Sequence, residues 1–133
     1  MPSMDFPQTR SGIAEALTFV ESETRQLGGV DPSLVDRVVL VAGEVLANAV
    51  EHGTVEPGRR VRVAVGGTAS AVTLTIHGAS DGIELHRFDD ARLPRDVLAT
   101  DGRGLFLVRS LADAIEAEGA GGLTFRFSPR RAP

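Results

Sequence analysis

The stretch V-L-V-A-G-E-V-L-A-N-A-V-E-H-G, from Val39 to Gly53, decides how the chain is read. Nearly every residue in it is aliphatic or small, so a helix here is buried over most of its circumference. Between Val38 and Val50 only Glu44 and Asn48 are polar. They stand at i and i+4, with Glu51 and His52 at i+7 and i+8, and at about 100° per residue all four project from one narrow stripe. Spacing alone leaves two readings open. In one, Asp36, Arg37, Glu44, Asn48 and Glu51 form the wet side of an amphipathic helix. In the other, the stripe faces a ligand. Gly43 and Asn48 lean toward the second, because a mid-helix Gly costs about 1 kcal/mol relative to Ala and Asn is also a weak helix former. On that reading Gly43 predicts a close backbone approach and Asn48 a specific ligand. An amide oxygen is a hard donor suited to Mg²⁺, which keeps several waters and takes few protein ligands. A carboxylate one turn away can orient a water or accept a hydroxyl proton.

The rest of the chain places this helix in an α+β frame. Met4-Asp5-Phe6-Pro7 reads as an edge strand or an arm. Ser11 to Leu27 carries Ile13, Ala16, Leu17, Val20 and Leu27 at helical spacing, with Thr9 or Ser11 as N-cap and Gly28-Gly29 as the stop. Asp31-Pro32 opens the second helix as N-cap and first helical residue, and that helix runs to Gly53. Arg60 to Val65 and Ala71 to His77 alternate with period 2, so Gly66 to Ser70 predicts the turn of an antiparallel hairpin. His77 falls opposite Ile76 and is expected as an exposed strand residue rather than a ligand.

Periodicity disappears from Gly78 to Gly102, a stretch too long for an ordinary connection, which reads as a lid or linker with a short helix at Pro94 to Ala99. Asp101-Gly102-Arg103-Gly104 then forms a Gly-rich turn before a helix marked by Leu105, Val108, Leu111 and Ala112. Free N–H groups and the positive end of the helix dipole make such a junction an anion site. Ala114 to Glu118 and Leu123 to Phe127 close the chain as a second hairpin. The order predicts a two-layer α+β sandwich, a mostly antiparallel sheet with helices on one face, in one domain spanning residues 1–133. The polar stripe is expected at the sheet's open side, under the lid and the Gly-rich turn.

Composition excludes several classes. With no Cys there is no disulfide, thiolate nucleophile or Cys-based zinc site. Net charge is −4 and the basic residues are scattered, which argues against binding a nucleic-acid backbone, and without Trp or Tyr base-stacking platforms are missing. No run approaches the roughly 20 apolar residues of a membrane span, and the first ten residues lack the order of a signal peptide. A soluble cytoplasmic protein is the expectation. All basic residues are Arg, as a GC-rich coding bias would produce.

Two separated motifs agree on a family. E-V-L-A-N-A-V-E-H-G, from Glu44 to Gly53, resembles the N box of the GHKL (histidine kinase-like, HATPase_c) ATPase superfamily, in the form seen in anti-sigma-factor serine/threonine kinases. G-R-G-L-F-L-V-R-S-L-A-D, from Gly102 to Asp113, resembles its second glycine box. Their order, the hairpin between them and the chain length match too, so the resemblance covers almost the whole chain and implies the Bergerat-type ATP-binding fold. It implies ATP and Mg²⁺ as cofactors, with Asn48 as the metal ligand and Glu44 as the general base for a protein Ser or Thr hydroxyl. It implies that Gly102, Arg103, Gly104 and Leu105 contact the phosphates and that His52 closes the N-box helix near the nucleotide. The first glycine box, D-x-G-x-G in the family, reads Gly78-Ala79-Ser80-Asp81-Gly82. The adenine-binding Asp is thus replaced by Gly78, only Gly82 is retained, and Asp81 is the carboxylate left nearby. The implied partners are a sigma factor, an anti-anti-sigma (STAS-type) protein as kinase substrate, and a second copy in a homodimer. The alternative is a non-catalytic partner-switching module with a decayed nucleotide site; a histidine kinase's catalytic domain would need a phosphoacceptor His elsewhere.

Overall fold

The computed structural model describes residues 1–52, 58–78, 101–118 and 122–130, with the backbone alone at 52, 101–103 and 105. Its longest element is the helix of the opening stretch, α2, Pro32–His52. Asp31 caps it: its carboxylate accepts from the Ser33 amide at 3.0 Å, and Pro32 occupies the first turn where no donor is missed. The preceding helix α1, Arg10–Gln26, is capped by Thr9, whose hydroxyl accepts from the Gly12 amide at 3.0 Å. Ser11 lies inside the first turn.

Among the described residues one five-stranded antiparallel sheet, in the order β1-β2-β3-β5-β4, underlies the helices. Its strands are β1 Ser3–Pro7, β2 Arg60–Thr68, β3 Ala71–His77, β4 Ala114–Glu118 and β5 Gly122–Phe127. The N-terminal segment is therefore the edge strand, pairing Phe6 with Val61 and Asp5 with Arg62. The β2–β3 hairpin is tighter than the glycines suggest. Gly66, Gly67 and Thr68 continue β2, opposite Thr73, Val72 and Ala71, and only Ala69-Ser70 turn. Glycines mark a turn less securely than cross-strand pairing does, because the ladder extends wherever both backbones can approach.

The alternation sorts the two faces. Val61, Val63, Val65, Val72, Leu74, Ile76, Leu123, Phe125 and Phe127 are buried toward the helices, against Ala16 and Val20 of α1 and Leu34, Val38, Val41, Val45 and Ala49 of α2. The two-layer sandwich expected from the chain is the one found. The outer face is polar: Arg62 bonds the Asp5 carboxylate at 2.8 Å, Arg126 reaches Glu116 at 3.3 Å, and Thr124 donates to Glu118 at 2.6 Å. His77 lies on this face as expected but is only half-exposed, because its ring covers Gly122, where a β-carbon would collide with it. Among the described residues no helix is long and apolar enough to cross a membrane.

The last helix, α3, spans Asp101–Leu111. This corrects the sequence reading, which began it at Leu105. Gly102, Arg103 and Gly104 form its first turn rather than a turn before it. Helix propensity argues against two glycines there, but close packing on α2 outweighs propensity in so short an element. Of the segment from Gly78 to Gly102 read as a lid, Asp101 and Gly102 belong to α3, and residues 79–100, with the short helix expected at Pro94 to Ala99, lie outside the described residues.

Candidate functional site

α2 turns Glu44 and Asn48 of its polar stripe toward the start of α3, the Gly-rich segment expected to lie over them. The helices run antiparallel, so that the α3 start meets Glu44 and Asn48 while the α3 end meets Arg37. A β-carbon on Gly104 would stand 2.7 Å from Glu44 Oε2 and 3.5 Å from Asn48 Nδ2. The bare backbone at 104 is thus the condition for this contact, and Gly104 is buried by it. The two sequence motifs, 60 residues apart when counted from Glu44 to Gly104, meet at this point.

The stripe does not behave as one surface. Asp36 and Glu51 are exposed, Glu44 is half-buried, and Asn48 and Arg37 each retain 9% of their exposure. Asn48 is fixed from behind. Its Nδ2 donates to the Glu44 carbonyl oxygen at 2.8 Å. A carbonyl oxygen can only accept, so the amide nitrogen must occupy that position. The amide oxygen, the hard donor, is then the atom not used in this bond. The first-turn amides of α3 are those that an α-helix leaves without intrahelical partners, on the positive side of its dipole. The Glu44 carboxylate and the Asn48 side chain therefore meet the start of a helix.

Other predicted residues are placed differently. Gly43 makes no close backbone approach: the nearest atoms to a β-carbon there are the Leu17 methyls, at 3.8 Å, an ordinary packing distance. His52 ends α2, and Gly102, Arg103 and Leu105 belong to the first half of α3 by their backbone. Asp81 and Gly82 lie outside the described residues. Gly78 follows β3 at φ +90°, and a β-carbon on it would stand 2.9 Å from the Arg60 carbonyl oxygen. The backbone here suits glycine and strains any L side chain, Asp included.

Arg37 is the residue that sequence reasoning missed. Far from lining the wet side, its guanidinium donates to the Leu111 carbonyl oxygen at 2.9 and 3.1 Å and to the Ser128 carbonyl oxygen at 2.8 Å. It also bonds Asp113 Oδ2 at 3.2 Å and lies 5.9 Å from the centre of the Phe127 ring. Five guanidinium donors in a planar fork suit such a cluster of acceptors. Asp113 in turn accepts from the Ser128 amide at 2.6 Å and hydroxyl at 3.0 Å. Burial pushes the Asp113 carboxyl up, but the two Ser128 bonds and the Arg37 charge outweigh it and hold it below the usual carboxylate range. The only sequence signal was position: Arg37 precedes Glu44 by two turns, between Leu34 and Val41.

These residues fit a magnesium–nucleotide ligand in their chemistry. Among the described residues no group of three or more His, Cys, Asp or Glu could hold a metal ion. A cation here would rest on the Asn48 amide oxygen, water and the ligand's phosphates, the donor set that Mg²⁺ favours. No curated protein matches the chain. The histidine kinase-like ATPase domain family matches residues 6–128, from the end of β1 to the residue after β5. All of the sandwich but the first three residues of β1, with the Glu44–Asn48 pair and the Gly104 contact, lies within that span, and the chain belongs to the histidine kinase-like ATPase family.

Proposed function

We propose that the protein is an ATP-dependent serine/threonine kinase that acts as an anti-sigma factor in a partner-switching system. The observation that carries the reading is the seating of Gly104 on Glu44 and Asn48. It puts a candidate general base, a candidate magnesium ligand and a phosphate-binding helix start in one place. Phosphoryl transfer depends chiefly on positioning and charge stabilisation, which is what such an arrangement supplies. Asn48 would hold Mg²⁺, and the α3 start, Gly102 to Leu105, would bind phosphate oxygens. Bound Mg²⁺ would neutralise charge on the phosphates. Glu44 would accept the proton of a partner's Ser or Thr hydroxyl as its oxygen bonds to the γ-phosphorus and the bond to the bridging oxygen of ADP breaks. The partners are a sigma factor, sequestered by binding, and an anti-anti-sigma protein of the STAS type as phosphate acceptor.

Purified protein, Mg²⁺-ATP and a cognate STAS-type protein test this by phosphopeptide mass spectrometry. Wild type is expected to phosphorylate one Ser or Thr. Glu44→Gln is expected to lose phosphorylation while still binding ATP. Unchanged phosphorylation by Glu44→Gln would remove Glu44 from the mechanism.

Gly78 favours a second reading. Since Gly78 stands where the family has its adenine-binding Asp, and its backbone strains that side chain, the second reading is a partner-switching module without catalysis. Calorimetry separates the two, because micromolar ATP binding would exclude a decayed site.

A further inference from the structure

We infer that Arg37 is a positioning residue for the nucleotide site, acting through the register of α3 along α2. The inference rests on the proposed ATP-binding reading for its ligand, but its geometry is independent of it. Arg37 and Glu44 are seven residues apart on α2, and Gly104 and Leu111 are seven apart on α3. In both helices this is two turns, roughly 10.5 Å of axial rise. With the helices antiparallel, the Glu44–Gly104 contact and the Arg37–Leu111 bonds form two clamps at matching separation. Val108 packs α3 into the core, and the two clamps add a fixed point toward each end that sets its register along α2.

The two clamps differ in strength. At the α3 start there is a van der Waals seat with no side chain at 104. At its end Arg37 makes charge-assisted bonds to a helix-end carbonyl of the kind an α-helix leaves without an intrahelical donor, where a cation also complements the dipole. The same guanidinium reaches Ser128 after β5 and Asp113 before β4, so it ties α3 to the sheet as well as to α2. Arg130 adds a bond to the Ser110 carbonyl oxygen at 2.6 Å from the exposed side. From α2 itself, Arg37 supplies the hydrogen bonds to this end, on the helix that carries Glu44 and Asn48. A shift of α3 by a fraction of a turn would carry Gly104 off the pair and re-aim the first-turn amides.

The test uses the full chain with Arg37→Met, which keeps an aliphatic stem against Phe127, and Arg37→Lys, which keeps the charge but offers no fork. Hydrogen exchange without nucleotide is expected to quicken across α3 while the β3 and β5 amides keep their protection. ATP affinity by calorimetry, at a temperature where circular dichroism shows the variants folded, is expected to fall about tenfold to a hundredfold for Met and less for Lys. In a double-mutant cycle with Gly104→Ala the two losses are expected to be non-additive, since both act through the seat of α3. Wild-type exchange and affinity in a folded Arg37→Met, or strict additivity in the cycle, would overturn the inference. A wild type that binds no ATP while α3 exchange still quickens would overturn the nucleotide role and the functional reading, and leave Arg37 a purely structural clamp.

Discussion

Glu44 rests its carboxylate on the bare backbone of Gly104, where a β-carbon would stand 2.7 Å from Oε2. The atom in the way is the far end of a flexible side chain, so Gly104→Ala is expected to fold. Helix propensity even favours it by up to about 1 kcal/mol. What yields is Glu44, which must swing aside, and the seat it gives α3 is loosened with it. If Glu44 is the base, phosphorylation of the partner falls about a hundredfold, the order contributed by a positioned base, with thermal stability unchanged or slightly raised. A Gly104→Ala protein that keeps its full rate would show that Glu44's position against α3 is irrelevant to chemistry.

A second expectation concerns the end of β3. Restoring the family's Asp by Gly78→Asp is the obvious way to strengthen adenine binding. The backbone predicts the opposite. At φ +90°, facing the Arg60 carbonyl oxygen at 2.9 Å, any L residue is strained by about 1–3 kcal/mol. Denaturant unfolding of Gly78→Asp beside Gly78→Ala should show similar losses, because strain and not charge causes them. ATP affinity should not rise. Increased affinity with undiminished stability would mean that the β3 end relaxes to accept the side chain.

These sites mark the limit of what the sequence could show. α1, α2, β3 and the two hairpins were legible because each repeats a period that a single face must satisfy, and the caps Thr9 and Asp31 stand at the starts. The meeting of Glu44 and Asn48 with Gly104 was legible only through the paired motifs, since spacing alone left solvent and ligand equal. Arg37 was not legible at all. Its acceptors at Leu111, Asp113 and Ser128 come from elements 74, 76 and 91 residues away, and two of them are carbonyl oxygens, which any residue could supply. Gly43 misled in the other direction. Its low propensity suggested a close approach, whereas the structure leaves room for a methyl group beside Leu17. The start of α3 was misplaced because glycines weaken local helix preference while the packing that overrides it is tertiary.

The last prediction follows from the clamp's acid. Asp113 is held below the ordinary carboxylate range: burial raises it, and the Ser128 amide and hydroxyl together with Arg37 more than reverse this. A group whose folded value is depressed contributes stability above its unfolded value, near pH 3.9, and loses it as the pH falls through the folded value. Asp113→Asn retains an acceptor for Ser128 but removes the charge facing Arg37. It is therefore expected to melt below wild type at neutral pH, with the gap steady down to about pH 4 and closing below it. Melting temperatures of the two proteins across the acid range check this. Asp5, paired with Arg62 on the outer face, is also held low, chiefly by the Arg62 hydrogen bond, but it is present in both proteins and cancels from the difference. A gap that widens toward low pH would have the wrong sign for a depressed carboxylate, and would mean that Asp113 is not held in its charged form by this cluster.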